Sequence, residues 1–154
     1  MTQPQPKKRR WIKPLIIVGF FTVLAGAGIY WYVATEKFTD TKDRKAAYTV
    51  SINDLLREFR QNEKSAKEKY AGKILAVYGT VSAVEPVDTT MNIKFVDTTN
   101  GDYAIFAFQA KHLAEAKTIK EGDSVSLKAA FSDFVFIDIL GVYSMTFQRA
   151  TINK

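Results

Sequence analysis

The sequence contains no cysteine. That excludes disulfides, thiolate metal sites, cysteine nucleophiles and the acylated cysteine of a bacterial lipoprotein. It leaves the compartment open, because a cysteine-free domain is comfortable on either side of a membrane. Histidine is nearly absent too. His112 is the single imidazole, with no second histidine to share a metal and no evident carboxylate constellation for general-base work. In the alanine-rich stretch QAKHLAEAK it reads as an exposed residue of a short helix. No catalytic, metal or cofactor site is expected, and the chain does not read as an enzyme.

Acid is missing from the first 35 residues, and all 16 Asp and Glu lie from Glu36 onward. Five of the 22 basic residues (Lys7, Lys8, Arg9, Arg10 and Lys13) fall in that acid-free stretch. From Glu36 the balance is 17 basic to 16 acidic, and from Lys73 it is 8 to 9. The net charge of +6 therefore belongs to the tail. A domain that neutralises phosphates should carry the excess itself, so nucleic acid is disfavoured as a partner.

Behind the tail comes PLIIVGFFTVLAGAGIYWYVAT, 22 uncharged residues from Pro14 to Thr35. As a helix it would reach roughly 33 Å, enough to cross a hydrocarbon core of about 30 Å. Trp11 at one end and Tyr30, Trp31 and Tyr32 at the other read as interface anchors. The run exceeds the apolar region of a signal peptide, so a retained span is favoured over a cleaved one. The basic flank places the N-terminus in the cytoplasm and the rest outside, at a bacterial inner membrane. Residues 1–13 then form a cytoplasmic tail, 14–35 a transmembrane helix, 36–50 a solvated stalk and 51–154 a folded domain.

The domain opens with a helix expected over 51–71. Ser51 can cap it, Asp54 favours its dipole, and Val50 and Leu55 stand at the positions of a hydrophobic staple. Ile52, Leu55, Leu56, Phe59, Ala66 and Tyr70 make one apolar stripe, and Gly72 ends the helix. From Lys73 the period changes to two. Lys73–Val84 reads as a long strand bent or bulged at Gly79 and stopped by Glu85-Pro86. Met91–Asp97 and Tyr103–Phe108 flank an Asn100-Gly101 hairpin turn. After the short helix come Ser124–Phe131, a break at Ser132-Asp133, Phe134–Tyr143 and Ser144–Ile152.

Three strands, a short helix and two more strands are the chain order of an OB-fold, a five-stranded Greek-key barrel. The fold class is thus a β-dominated α+β chain, with a small β-sandwich as the alternative. The pattern also resembles the tRNA_anti-like (tRNA-anticodon-binding-like) family, whose members are often short membrane-anchored bacterial proteins. The resemblance runs from Ser51 to the C-terminus. It rests on the capped helix with Phe59, Asn62, Ala66 and Tyr70, then Gly72-Lys73 leading into Val77-x-Gly79-x-Val81, Gly122-Asp123-x-Val125 and an aromatic-rich final hairpin. It departs at Ala150, where such domains often carry cysteine. It implies an OB-fold and no catalytic residues.

Candidate binding residues are aromatic. Half of Phe95, Tyr103, Phe106, Phe108, Phe131, Phe134, Phe136 and Tyr143 should fill the barrel, while Tyr78, Tyr103 and Phe134 are expected as exposed rings of a ligand face. Asp138, inside FVFIDILGVY, should face solvent. Lys94, Lys111 and Lys128 are too scattered to make a groove. The reading is a membrane-anchored extracytoplasmic binding or assembly module for a protein, peptide or glycan, with a single-strand nucleic-acid binder as the alternative. Oligomeric state is not legible.

Overall fold

The computed structural model describes residues 25–28 and 40–153. The chain divides into two units, Met1–Phe38 and Thr39–Lys154. In the first, residues 25–28 are helical. The rest of the expected span, and Trp11, Tyr30, Trp31 and Tyr32, lie outside the described residues. Among the described residues no helix is long and apolar enough to cross a membrane.

The second unit is mostly β sheet with a few short helices. Strands β1 (Tyr48–Ser51), β2 (Ile74–Thr80), β3 (Ala83–Val87), β4 (Thr90–Val96), β5 (Tyr103–Phe108), β6 (Ser124–Ile137) and β7 (Val142–Ile152) form one sheet in the order β1-β2-β6-β7-β5-β4-β3. Helices α1 (Ile52–Gln61) and α2 (Glu63–Tyr70) come directly after β1. A 3-10 turn, Ala110–His112, and α3, Leu113–Ala116, lie between β5 and β6. The parallel pairing of β5 with β7 and the antiparallel pairings of β3–β4, β4–β5, β6–β7 and β2–β6 give an OB-like β fold.

Seven strands replace the expected five, for two reasons. The first long strand is divided at Val81-Ser82, where the chain changes partners. The Val81 amide donates to Asp123 O beside β6, and the next amide, of Ser82, donates to Lys94 O of β4. The strand then runs through Glu85-Pro86 instead of stopping there, because β3 pairs on one side only and can dispense with a proline N–H. The added strand is β1, which pairs in parallel with β2. In the described part of the stretch 36–50, residues 42–45 and 47–49 are exposed, while the chain is tied to the domain at two points. Thr41 is buried, and Ala47 N donates to Ile74 O.

The single helix expected over 51–71 is two helices. The cap is as expected, with Ser51 Oγ accepting from Asp54 N at 3.1 Å. At Asn62 the backbone leaves the helical region, with φ −155° and ψ 84°, and its side chain accepts from Ser65 N to start α2. All six stripe residues are nonetheless buried. Gly79 owes its identity to this helix. A Cβ there would lie 2.7 Å from Ile52 Cγ2, so the strand passes beneath α1 only as glycine.

The final hairpin turns later than expected. β6 is continuous across Ser132-Asp133, which form a bulge opposite β7, and the turn is Asp138–Gly141 with Gly141 at φ 66°. The core lies between the sheet's inner face and the helices. Phe106 and Phe147 stack at 4.3 Å there, and Phe59 packs 4.8 Å from Phe134.

Candidate functional site

Three regions carry chemistry, two on the surface and one beneath it. One is the outward face of β4 and β5. Register sets Val96 opposite Tyr103 and Lys94 opposite Ile105. The Lys94 ammonium lies 4.2 Å from the centre of the Tyr103 ring, a cation–π contact on a half-buried aromatic.

The second region surrounds Tyr78, whose residue is 48% exposed. Tyr78 lies between two strands, opposite Ser51 of β1 and Ser126 of β6. Thr80 is opposite Ser124 in the same ladder. Side chains two apart share a face, so Tyr78, Thr80, Ser124 and Ser126 stand together on the outer side. A cleft of about 380 Å³ is lined by this β2–β6 patch, and an adjoining one of about 420 Å³ reaches Asn53, Ser82 and Thr98. No lining residue of either cleft is charged.

The third region holds buried polar ties. Asp102 is fully buried, yet the Arg60 guanidinium pairs with both its oxygens and Tyr143 N donates to Oδ1 at 2.8 Å. Burial pushes this carboxyl up, but Arg60 and the Tyr143 amide outweigh it and the pKa is lowered. Asp40 receives His112 Nε2 at 2.9 Å and Lys111 Nζ at 2.9 Å. Its burial penalty is likewise outweighed, by Lys111, His112 and the Lys42 amide, and the carboxyl is held well below the usual range. Lys42 in turn pairs with Glu115. Among the described residues no group of three His, Asp or Glu is placed to hold a metal.

A family model described as tRNA_anti-like matches residues 1–141. The chain belongs to the tRNA_anti-like family. No curated protein matches the sequence. Among solved structures, this tRNA_anti-like chain is similar to a candidate nucleic acid-binding lipoprotein of Klebsiella pneumoniae. Identity is 18%, the TM-score is 0.50, and 69% of this chain and 91% of that one are covered. The likeness is one of fold. A candidate aspartyl-tRNA synthetase of Leishmania major matches at 12% identity and TM-score 0.44, over 74% of this chain but 21% of that one. An asparaginyl-tRNA synthetase of Pyrococcus horikoshii matches at 16% and 0.36, over 56% and 20%.

Of the three rings expected on a ligand face of this tRNA_anti-like domain, Tyr78 is exposed and Tyr103 is half-buried beneath Lys94. Phe134 corrects the expectation, being 1% exposed. The bulge at Ser132-Asp133 shifts the alternation by one residue and turns Phe134 inward, against Phe59 and Tyr143. Phe136 is exposed instead, at the hairpin end where the core has run out. Tyr78 and Tyr103 are not brought together, since they stand on strands separated by β6 and β7. His112 is also corrected. It is buried, because Asp40 supplies the carboxylate that the local sequence lacks. Asp138 is exposed, in the turn rather than in a strand. Lys94, Lys111 and Lys128 remain apart, with Lys111 on Asp40 and Lys128 donating to Lys42 O.

Sequence reasoning missed Asp102, Asp40 and the hydroxyls facing Tyr78. Asp102 carried one signal, its place beside the Asn100-Gly101 turn, where Asn100 Oδ1 accepts from Asp102 N. The others depend on strand register and on a contact across 72 residues, which no local pattern reports.

Proposed function

We propose that the chain is a non-enzymatic OB-fold binding module held at the outer face of a bacterial inner membrane. In this reading residues 1–13 are the cytoplasmic tail, 14–35 the anchor and the β-rich unit the extracytoplasmic domain. Its sheet closes as a barrel through the β2–β3 strand that serves both ends. The bilayer is one partner and a protein, peptide or glycan the other.

One observation carries the reading against nucleic acid. Across residues 40–153 the 15 Lys and Arg are matched by 15 Asp and Glu, and six of those cations pair with the domain's own acids. Lys42 pairs with Glu115, Arg57 with Asp54, Arg60 with Asp102, Lys67 with Glu63, Lys69 with Glu58 and Lys111 with Asp40. A phosphate chain would have to break such pairs to be neutralised. A reporter fused after Lys154 should register as extracytoplasmic, and cytoplasmic activity would overturn the placement.

A second reading, single-stranded nucleic-acid binding, has its own support. OB domains take oligonucleotides on the face of their second and third strands. Here β4 and β5 fill that role and present Lys94 on Tyr103. The Klebsiella pneumoniae protein is named as a candidate nucleic acid-binding lipoprotein. A labelled ten-nucleotide thymidine strand, titrated at about 50 and about 200 mM salt, decides between the two. Salt-sensitive binding lost in Lys94→Glu would favour the second reading, and flat titrations would favour the first.

A further inference from the structure

The clefts around Tyr78 differ from the rest of the domain in having no charge. A quarter of the chain is Asp, Glu, Lys or Arg, yet the lining is aromatic, hydroxyl and amide only. The nearest flanking charges have other commitments. Asp54 pairs with Arg57, Asp97 accepts from Thr99 N, Asp123 accepts from Lys120 N, and Lys128 donates to Lys42 O. Ser51, Ser82 and Ser126 of the lining are hydrogen-bonded within the domain. The other five polar side chains, Asn53, Tyr78, Thr80, Thr98 and Ser124, make no side-chain hydrogen bond among the described residues.

Each feature narrows the ligand. A phosphate or carboxylate would enter without a counter-ion and lose its hydration, so an anion is disfavoured. A peptide adding as a strand needs free backbone N–H and C=O groups, and Tyr78 sits between two paired strands, β1 and β6. An oligosaccharide matches on both counts. The apolar C–H face of a pyranose can lie on an exposed aromatic ring. Its hydroxyls both donate and accept, as do those of Tyr78, Thr80, Thr98 and Ser124, while Asn53 supplies both roles from one amide.

We propose that the β1–β2–β6 face is a saccharide-binding site, with Tyr78 the stacking platform and the hydroxyls of Thr80 and Ser124 beside it. The ligand class is a neutral oligosaccharide. The Tyr78 platform stands on β2, separated in the sheet by β6 and β7 from the β4–β5 pair that OB domains use for oligonucleotides, and the adjoining cleft reaches as far as Val96 at the end of β4. It deepens, and rests on, the reading of the chain as a binding module.

The test uses the full chain in lipid nanodiscs, titrated calorimetrically with cellotetraose, chitotetraose and maltotetraose. At least one should bind saturably, with a dissociation constant between about 0.1 and about 5 mM. Tyr78→Ala should weaken it about tenfold or more, Tyr78→Phe about threefold or less, and Thr80→Val about threefold. Phe136→Ala, an exposed ring at the far hairpin, should leave it unchanged. Tyr78 is exposed, so its variants should keep the wild-type melting curve, and Thr80→Val tests the same face without touching the ring. The proposal is overturned if none of the three sugars binds at about 10 mM. It is equally overturned if Tyr78→Ala binds as wild type, or if a thymidine decamer binds at Tyr78 and the sugars do not. Failure here with an extracytoplasmic reporter removes the sugar and leaves the module. A cytoplasmic reporter removes the placement and leaves any sugar binding standing.

Discussion

The two helices behind β1 have one apolar stripe between them and are held in opposite ways. In α1, Ile52, Leu55, Leu56 and Phe59 are all buried within ten residues. In α2 only Ala66 and Tyr70 are buried, and the remainder is charged or polar. The ring of Tyr70 stacks on Phe59 at 5.8 Å, meets Tyr48 edge-on at 5.2 Å, and sends its hydroxyl to Glu58 at 2.7 Å. So α1 belongs to the core of the sheet, whereas α2 is fastened to α1 and β1. Loss of α1 contacts should cost the whole domain, and loss of α2 contacts should cost only α2.

Phe59→Ala is the strongest way to break the distinction. Its ring touches Phe131 at 5.1 Å, Phe134 at 4.8 Å and Tyr70, so its removal opens a cavity that both helices line. The expected loss is about 4 kcal/mol. Urea unfolding of the full chain in detergent, monitored by circular dichroism, should show one cooperative transition at a lower midpoint. A loss below about 1 kcal/mol would mean that the site collapses around the gap.

Next comes the polar tie at Arg60, the residue after Phe59. Asp102→Ala removes the acceptor of Tyr143 N and leaves Arg60 without its partner, for an expected loss of about 3 kcal/mol. The pH dependence has a definite sign. Asp102 is held below its unfolded value, and so is Glu58, whose burial is outweighed by hydrogen bonds from Lys69 and Tyr70. Their contribution is complete above about pH 5 and is lost as pH falls through the folded values. The urea midpoint should therefore drop on acidification below about pH 4. Asp102→Asn should flatten that fall, and an equally steep fall would assign the acid limb to other carboxyls.

Much of α1 and α2 was legible in the sequence, and the reason their boundary was not is physical. Spacing alone identifies Ile52, Leu55, Leu56, Phe59, Ala66 and Tyr70, because burial demands periodicity. Asn62 lies on the polar face, where a break changes no apolar position. The hairpin misleads in the converse way. Ser132-Asp133 looks like a turn because it is polar, while the true turn carries Ile139 and Leu140, both exposed, at 96% and 63%. Hydropathy reads those two as strand. At the candidate site, alternation reports the exposure of Tyr78 but cannot say which hydroxyls face it. That requires the β2–β6 register, fixed by pairing across 48 residues from Tyr78 to Ser126. Phe134 and His112 failed for related reasons, a bulge that shifts parity and a distant carboxylate that satisfies a buried ring.

Gly79→Ala sharpens the comparison from beneath. The added methyl meets Ile52 Cγ2 at 2.7 Å, so it presses on the first turn of α1 and on nothing in α2. Overpacking of this kind should cost about 2 kcal/mol. Ile52→Val in the same chain should recover part of it by making room, and the double variant should be more stable than the sum of the singles predicts. If Gly79→Ala is neutral, the first turn of α1 yields more easily than its burial suggests.

The smallest effect expected is at the boundary itself. Asn62 Oδ1 caps α2 by accepting from Ser65 N at 3.1 Å, and its backbone amide still donates to Glu58 O of α1. Asn62→Ala removes the cap and raises local helix propensity, so two forces compete. Cap loss is worth about 1 kcal/mol and the propensity gain a few tenths, leaving a net loss below about 1 kcal/mol. The informative readout is hydrogen exchange. If α2 is fastened separately, amides of Glu63–Tyr70 should exchange faster while those of Ile52–Gln61 keep their protection. Equal acceleration in both would make the pair one cooperative helix with a kink, and the difference between core-held and side-chain-held helices would then vanish.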